Sequence, residues 1–151
     1  MAERRNEMGK KILVLGTGAQ GSTVAQRMDE EPNVEKIICA DADHKAVDEL
    51  VKILKKAEGR YVDANDTESI IKAAEGVDLI VNALPIRFAP NVLDAALAVK
   101  ANYQDFAATD VLDEWWPKCV EIMYDEYGKK FADIGKLAII GTGSAPGMMC
   151  V

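Results

Sequence analysis

Gly16-Thr17-Gly18-Ala19-Gln20-Gly21 is the stretch that decides how this chain folds. Before it runs Lys11-Ile12-Leu13-Val14-Leu15, an apolar segment that reads as a buried strand, and after it Ser22 through Met28 reads as the opening of a helix. Asp41 stands twenty residues beyond Gly21, at the end of a second apolar run, Ile37-Ile38-Cys39-Ala40. Three spaced glycines alone are a weak signal. Placed between a strand and a helix, with an acid at that distance, they predict a dinucleotide site. Gly16 allows a sharp turn off the strand, Gly18 lets backbone approach a pyrophosphate, and Gly21 lets the new helix pack on the strand. The helix start then offers unpaired N–H donors and a partial positive charge to the phosphates. A plain strand–turn–helix joint would need the glycines but leaves Asp41 without a role.

Composition narrows the class. The 151 residues suffice for one domain with a real core, and 49% hydrophobic with 28% charged residues is the balance of a soluble globular protein. A net charge of −7 argues against a nucleic-acid groove and suits a cytoplasmic protein. No apolar run is long enough to span a bilayer, so no membrane partner is expected. The start, Met1-Ala2-Glu3-Arg4-Arg5-Asn6-Glu7, lacks the apolar core of a signal peptide, so residues 1–10 read as a flexible lead-in to a domain over 11–151. Cys39, Cys119 and Cys150 have neither metal-ligand spacing nor an even count, which predicts no metal and no disulfide framework; Cys39 reads as a core residue. The single histidine, His44, reads as a surface residue in a helix's first turn, near Asp41.

Short apolar runs alternate with helical patterns along the rest of the chain. Strands are expected at 11–15, 36–40, 60–63, 78–82, 102–106 and 137–140. Asp43 caps a second helix with Val47, Leu50, Val51 and Leu54 on one face and Gly59 at its exit. Asp66 caps a third helix carrying Ile70, Ile71, Ala73 and Ala74 and leaving at Gly76. Pro90 opens a fourth, with Val92, Leu93, Ala96 and Leu97 inward. In the fifth, Leu112, Trp116, Cys119, Met123, Tyr127 and Phe131 recur at helical spacing. With Asp113 as its cap, Pro117 falls in or just after the first turn; Gly128 is a possible interruption, and only one of Trp115 and Trp116 can face the core. The whole is an α/β Rossmann fold, a doubly wound parallel six-stranded sheet in the order 3-2-1-4-5-6.

In such a sheet the ligand lies across the carboxyl edge, so the residues after each strand carry the function. Asp41 would accept hydrogen bonds from a ribose and repel a 2′-phosphate by about 1–4 kcal/mol at about 4 Å. Ala42-Asp43-His44 follow without an arginine or lysine, so NAD is favoured over NADP. Asp63 is placed to take a hydrogen bond from the adenine amino group or to support the next helix. After the fourth strand, Asn82-Ala83-Leu84-Pro85-Ile86-Arg87-Phe88 suits a loop passing close to a cofactor, where Arg87 could hold a substrate carboxylate or simply face solvent. Tyr103 and Asp105 share one face of the fifth strand; they could handle protons near a nicotinamide or form a buried, satisfied pair. Gly141-Thr142-Gly143-Ser144-Ala145-Pro146-Gly147 makes a second glycine-rich turn at the same edge, with Ser144 a possible helix cap. The chain ends on Met148-Met149-Cys150-Val151 in an opening helix, which leads to the expectation of a piece cut from a longer two-domain protein.

The joint pattern of GTGAQG, the acidic end of the second strand, Val62-Asp63-Ala64, Val81-Asn82-Ala83-Leu84-Pro85, Tyr103-Gln104-Asp105-Phe106 and Ala145-Pro146-Gly147 resembles the saccharopine dehydrogenase family, including lysine 6-dehydrogenase-like and carboxynorspermidine dehydrogenase-like enzymes. The resemblance runs from Lys11 to Val151. It implies a nicotinamide-dependent dehydrogenase, with a second domain for catalysis and homodimer formation, acting on a carbon–nitrogen bond of a small amino-acid-derived amine. By itself this piece is expected to bind NAD weakly and turn over nothing, since a substrate cavity needs walls on both sides. The resemblance also implies cofactor contacts from Gly16, Thr17, Gly18, Ala19, Gln20 and Gly21, from Asp41 and Asp63, and from Ala83, Leu84 and Pro85. Tyr103, Asp105 and the Pro146-Gly147 loop would border the nicotinamide. The main alternative is a free-standing module that senses NAD(H) without catalysis. A short-chain reductase would need a tyrosine four residues before a lysine, but Tyr103, Tyr124 and Tyr127 are followed at that distance by Ala107, Gly128 and Phe131. A methyltransferase fits the spaced glycines and the Asp63 and Pro85 loops less well.

Overall fold

The structure, a computed structural model, describes residues 9–106 and 116–143. Six parallel strands form one sheet: β1 (Lys10–Leu15), β2 (Val34–Asp41), β3 (Ala57–Tyr61), β4 (Leu79–Asn82), β5 (Asn102–Asp105) and β6 (Ala138–Ile139). Their order is β3-β2-β1-β4-β5-β6, as expected from the alternating pattern. Helices α1 (Ala19–Glu30), α2 (His44–Ile53), α3 (Thr67–Ala73) and α4 (Ala89–Val99) make the first crossovers. Strand periodicity divides the core into two layers. Leu13, Leu15, Ile38 and Ile80 face the side covered by α3 and α4. Ile12, Val14, Ile37 and Cys39 face the opposite side, covered by α1 and α2. Burial pushes the Cys39 thiol up to about 11, so it stays protonated and packs as a small apolar group.

Local chemistry sets the helix ends. The Asp43 carboxylate accepts from the Lys45 and Ala46 N–H groups, and Asp66 accepts from Glu68 N–H, so both sequence-assigned caps are in place. Gly76 follows α3 at φ +73°, a conformation that side chains resist. At the end of α4 the same left-handed role falls to Lys100, at φ 56°.

Three boundaries differ from the sequence expectation. Lys10 already belongs to β1, where its N–H donates to the Asn33 carbonyl, so the lead-in is shorter than residues 1–10. The third strand lies at Ala57–Tyr61, upstream of 60–63, and Gly59 sits inside it rather than at the exit of α2. The reason is packing: a Cβ on Gly59 would stand 2.7 Å from Val47 Cγ1, so the glycine lets α2 lie close against β3. Gly128 does not interrupt the last helix either. The rod runs through α5 (Trp116–Ile122), a π-helical turn (Met123–Tyr127) and α6 (Gly128–Asp133), with Gly128 at φ −56° and ψ −44°. Cys119, Met123 and Phe131 are buried along it and Tyr127 half-buried, each four residues or a multiple of four apart. Four-residue steps overshoot a full turn by about 40° each. The single wide turn absorbs an extra residue and brings the apolar face back onto the sheet. Leu112, Asp113, Trp115, Ser144, Ala145, Pro146, Gly147 and Cys150 lie outside the described residues.

Candidate functional site

The direction of the strand order reverses where β1 lies beside β4, and a cavity of about 390 Å³ opens at the carboxyl edge there. Four segments line it. They are the glycine turn (Gly16 and Gly18), the end of β2 (Asp41 and Ala42), the loop after β3 (Val62 through Asn65) and the loop after β4 (Ala83 through Pro85, with Arg87 and Phe88). Its volume falls in the range of small-molecule sites.

The three glycines are there for different reasons. Gly16 has φ +90°, and a Cβ on it would stand 2.9 Å from the Ala83 carbonyl. A Cβ on Gly21 would fall on the Gly16 carbonyl oxygen, so this glycine seats α1 against the turn. Gly18 is neither strained nor crowded: its φ is −66°, and a Cβ there would meet nothing within 4 Å. Nothing in the described chain demands glycine at this point. Gly18 is also the N-cap residue of α1 and lines the cavity, and no side chain caps the helix there, so its first N–H groups are left without a side-chain acceptor. Open space beside uncapped donors is the geometry into which a diphosphate fits.

Asp41 is held in place by the chain around it. Thr17 N–H donates to its Oδ2 at 2.7 Å, the Thr17 hydroxyl donates to the same oxygen at 3.1 Å, and Asp43 N–H donates to Oδ1 at 3.1 Å. Burial raises its pKa, but these donors outweigh burial and hold it below the usual 3.8, so it is ionised at neutral pH. Asp63 is exposed and also held below its ordinary value, first by the Asn65 backbone N–H and then by the Asn65 side chain. Both contacts fall on Oδ1. Of the other candidates, Ala83, Leu84 and Pro85 line the cavity. Thr17 is buried against Asp41, Gly21 is buried under the turn, and Ala19 and Gln20 are exposed at the start of α1. His44 is not among the lining residues; its ring stacks on Tyr61 with centroids 3.7 Å apart and planes within 10°.

Tyr103 and Asp105 are together, but away from this opening, at 1% and 4% exposure. The Tyr103 hydroxyl donates to Asp105 Oδ2 at 2.7 Å and accepts from Asn82 Nδ2 at 3.0 Å. Asn82 Oδ1 in turn accepts from Leu84 N–H at 3.1 Å, and Asp105 Oδ1 accepts from Gly141 N–H at 2.7 Å. Burial, then the Asp105 charge, pushes the Tyr103 hydroxyl far above its ordinary range. The pair is one stretch of a hydrogen-bonded chain tying the loop after β4 to the loop after β6. Sequence reading did not single out Asn65, Ala42 or Phe88 as site residues. The one signal available was the Asp63-Ala64-Asn65 spacing, which suits a side chain bonding the backbone two residues on.

Fold, glycine turn and acid define a dinucleotide-binding α/β domain. The family described as the saccharopine dehydrogenase NADP binding domain matches residues 12–139, and the chain belongs to that family. Carboxynorspermidine synthase of Vibrio cholerae is 30% identical over 93% of this chain and 37% of its own length. Carboxyaminopropylagmatine dehydrogenase of Synechocystis sp. is 27% identical over 91% and 35%. The chain therefore spans about a third of the length of these relatives. Among solved structures, apo saccharopine dehydrogenase (L-Glu forming) of Saccharomyces cerevisiae superposes with a TM-score of 0.75 at 19% identity, over 93% of this chain and 29% of that one, a likeness of fold. Among the described residues no helix is long and apolar enough to cross a membrane, and no cluster of side chains could hold a metal ion.

Proposed function

We propose that this chain is the dinucleotide-binding domain of an oxidoreductase acting on a CH–NH bond of a small amino-acid-derived amine, with NAD preferred over NADP. Gly18 carries the reading: it is glycine beside uncapped helix donors where the chain's own packing asks for none. When bound, a nicotinamide dinucleotide supplies hydride exchange. The chain's residues hold it. The turn from Gly16 through Gly21 and the start of α1 receive the diphosphate, and Asp41 receives adenosine-ribose hydroxyls. Asp63 takes the adenine edge, and Ala83, Leu84 and Pro85 form the opposite wall. Tyr103 and Asp105 serve here as positioning groups for the two loops at the nicotinamide end.

The NAD preference is supported by the ionised Asp41 at the ribose position, since a 2′-phosphate there would meet a like charge. The family's own description names NADP, so this is the point most exposed to test. The amine substrate class is supported by the two curated relatives, both named for carboxylated amines. Assembly as a homodimer with a second, substrate-binding domain, and a cytoplasmic setting, complete the proposal. One observation favours the alternative of an NAD(H) sensor without catalysis: the two proton-handling candidates are already bonded to each other inside the core.

Fluorescence titration with NADH and NADPH tests the reading. NADH is expected to bind more tightly, Asp41→Ser to narrow the difference, and Gly18→Val to abolish binding of both with the fold intact. Tighter NADPH binding overturns the preference, and undiminished binding by Gly18→Val overturns the site.

A further inference from the structure

Arg87 was open between a substrate carboxylate and solvent on sequence grounds. The structure leaves it exposed and sets it at the edge of the cavity. Arg87 lines the cavity together with Gly16, Gly18, Asp41 and Asp63. Among the described residues lining that cavity it is the one cation, and it forms no ion pair among the described residues. Its guanidinium lies 4.5 Å from the centroid of the Phe88 ring. The backbone beneath it is fixed by a short 3-10 turn, Ile86–Phe88, closed by Phe88 N–H donating to the Pro85 carbonyl at 3.0 Å. Three residues upstream, the same loop touches the glycine turn, with Leu84 Cδ2 3.2 Å from where a Cβ on Gly16 would stand.

The charge balance of the cleft asks for such a group. Asp41 and Asp63 both enter it ionised. A dinucleotide adds two phosphate charges of the same sign. The bare start of α1 offers N–H donors worth about half a positive charge, which leaves most of this unopposed. A guanidinium offers a full charge and a planar fork matched to two phosphate oxygens.

We propose that Arg87 binds the diphosphate of the dinucleotide, from the loop that faces the glycine turn. This rests on the dinucleotide reading given above. The ligand chemistry is the diphosphate common to NAD and NADP, not the 2′-phosphate and not the adenine ring. Being exposed, Arg87 can be replaced without disturbing the core.

NADH and NADPH are titrated against the unaltered chain, Arg87→Gln and Arg87→Lys, at about 0.05 M and about 0.5 M salt. Thermal midpoints confirm that all three chains fold. Arg87→Gln is expected to bind both nucleotides about tenfold more weakly at low salt, as for loss of one charged hydrogen bond. The gap narrows at high salt, and Arg87→Lys recovers a good part of the affinity. Binding by Arg87→Gln within about twofold of the unaltered chain at low salt overturns the proposal. A loss of the same size at both salts overturns it in favour of a stack on adenine. A loss confined to NADPH overturns it in favour of a 2′-phosphate contact. If the unaltered chain binds neither nucleotide, the dinucleotide reading itself falls and this proposal with it, a result that no Arg87 variant can mimic.

Discussion

Two aspartates end strands at the same edge of the sheet and meet opposite fates. Asp41, at the end of β2, is half-buried in an open cavity, and its bonds come from its own neighbourhood, Thr17 and Asp43. Asp105, at the end of β5, is buried and bonded to Tyr103 and to Gly141 from the next strand's exit. Each stands beside a glycine turn, with Gly16 at φ +90° and Gly141 at φ +68°. What separates them is position. Asp41 lines the cavity that opens beside the reversal of strand order, whereas the exits of β5 and β6 are bonded together, Gly141 N–H donating to Asp105 Oδ1 and Thr142 N–H to the Asp105 carbonyl. Both acids have bonds within the chain, but Asp41 lines the cavity and Asp105 does not.

The comparison breaks most visibly at the glycines. Gly21→Ala puts a methyl group onto the Gly16 carbonyl oxygen and is expected to lower stability by about 3 kcal/mol or more, measured by urea denaturation. Gly18→Ala, three residues away, meets only open space, so stability should change by about 1 kcal/mol or less, the loss typical of alanine at an N-cap. Its NADH affinity should fall nonetheless. A Gly18→Ala chain as unstable as Gly21→Ala would erase the distinction between ligand-facing and packing glycines.

Next in size is Tyr103→Phe. It removes the hydroxyl that bridges Asn82 and Asp105 and should cost about 1–3 kcal/mol in denaturation experiments. NADH affinity should move by less than about threefold, as expected of a group that holds a loop rather than a ligand. A large affinity loss with unchanged stability would place Tyr103 at the ligand.

The acid side answers to pH. The folded pKa of Asp41 lies below the usual 3.8. Its hydrogen bonds therefore stabilise the fold fully above that value, and the contribution disappears as pH falls through the lower folded value. Urea midpoints followed from about pH 6 to about pH 3 should fall less steeply at the acid end for Asp41→Asn than for the unaltered chain. Parallel curves would show that the Thr17 and Asp43 bonds contribute nothing to stability.

The smallest effect lies away from both sites. Lys100 holds the left-handed position after α4, where glycine has no steric cost, so Lys100→Gly should raise stability by about 0.5–1 kcal/mol and leave binding unchanged.

Much was legible in the residues alone, for a physical reason. A glycine turn, an aspartate cap and an apolar periodicity act within a few residues, so Gly16 through Gly21, Asp43, Asp66 and the buried strands announce themselves locally. Parallel strands joined by single helices then leave few possible orders, and the observed one was the expected one. Segments far apart in the chain settled the rest. Gly59 reads as a helix exit until Val47 is seen lying against it. Gly128 reads as a break until the sheet demands a continuous apolar face from the rod above it. Arg87 reads as a substrate or solvent residue, and only the fold shows that it lines the cavity while remaining exposed; Tyr103 with Asp105 reads equally as reactive or buried until Asn82 and Gly141 close around the pair. Local signals chose the elements and named the acid. Contacts between elements, whose energies depend on distances that no short window contains, decided which polar groups line the cavity and which are buried and bonded within the fold.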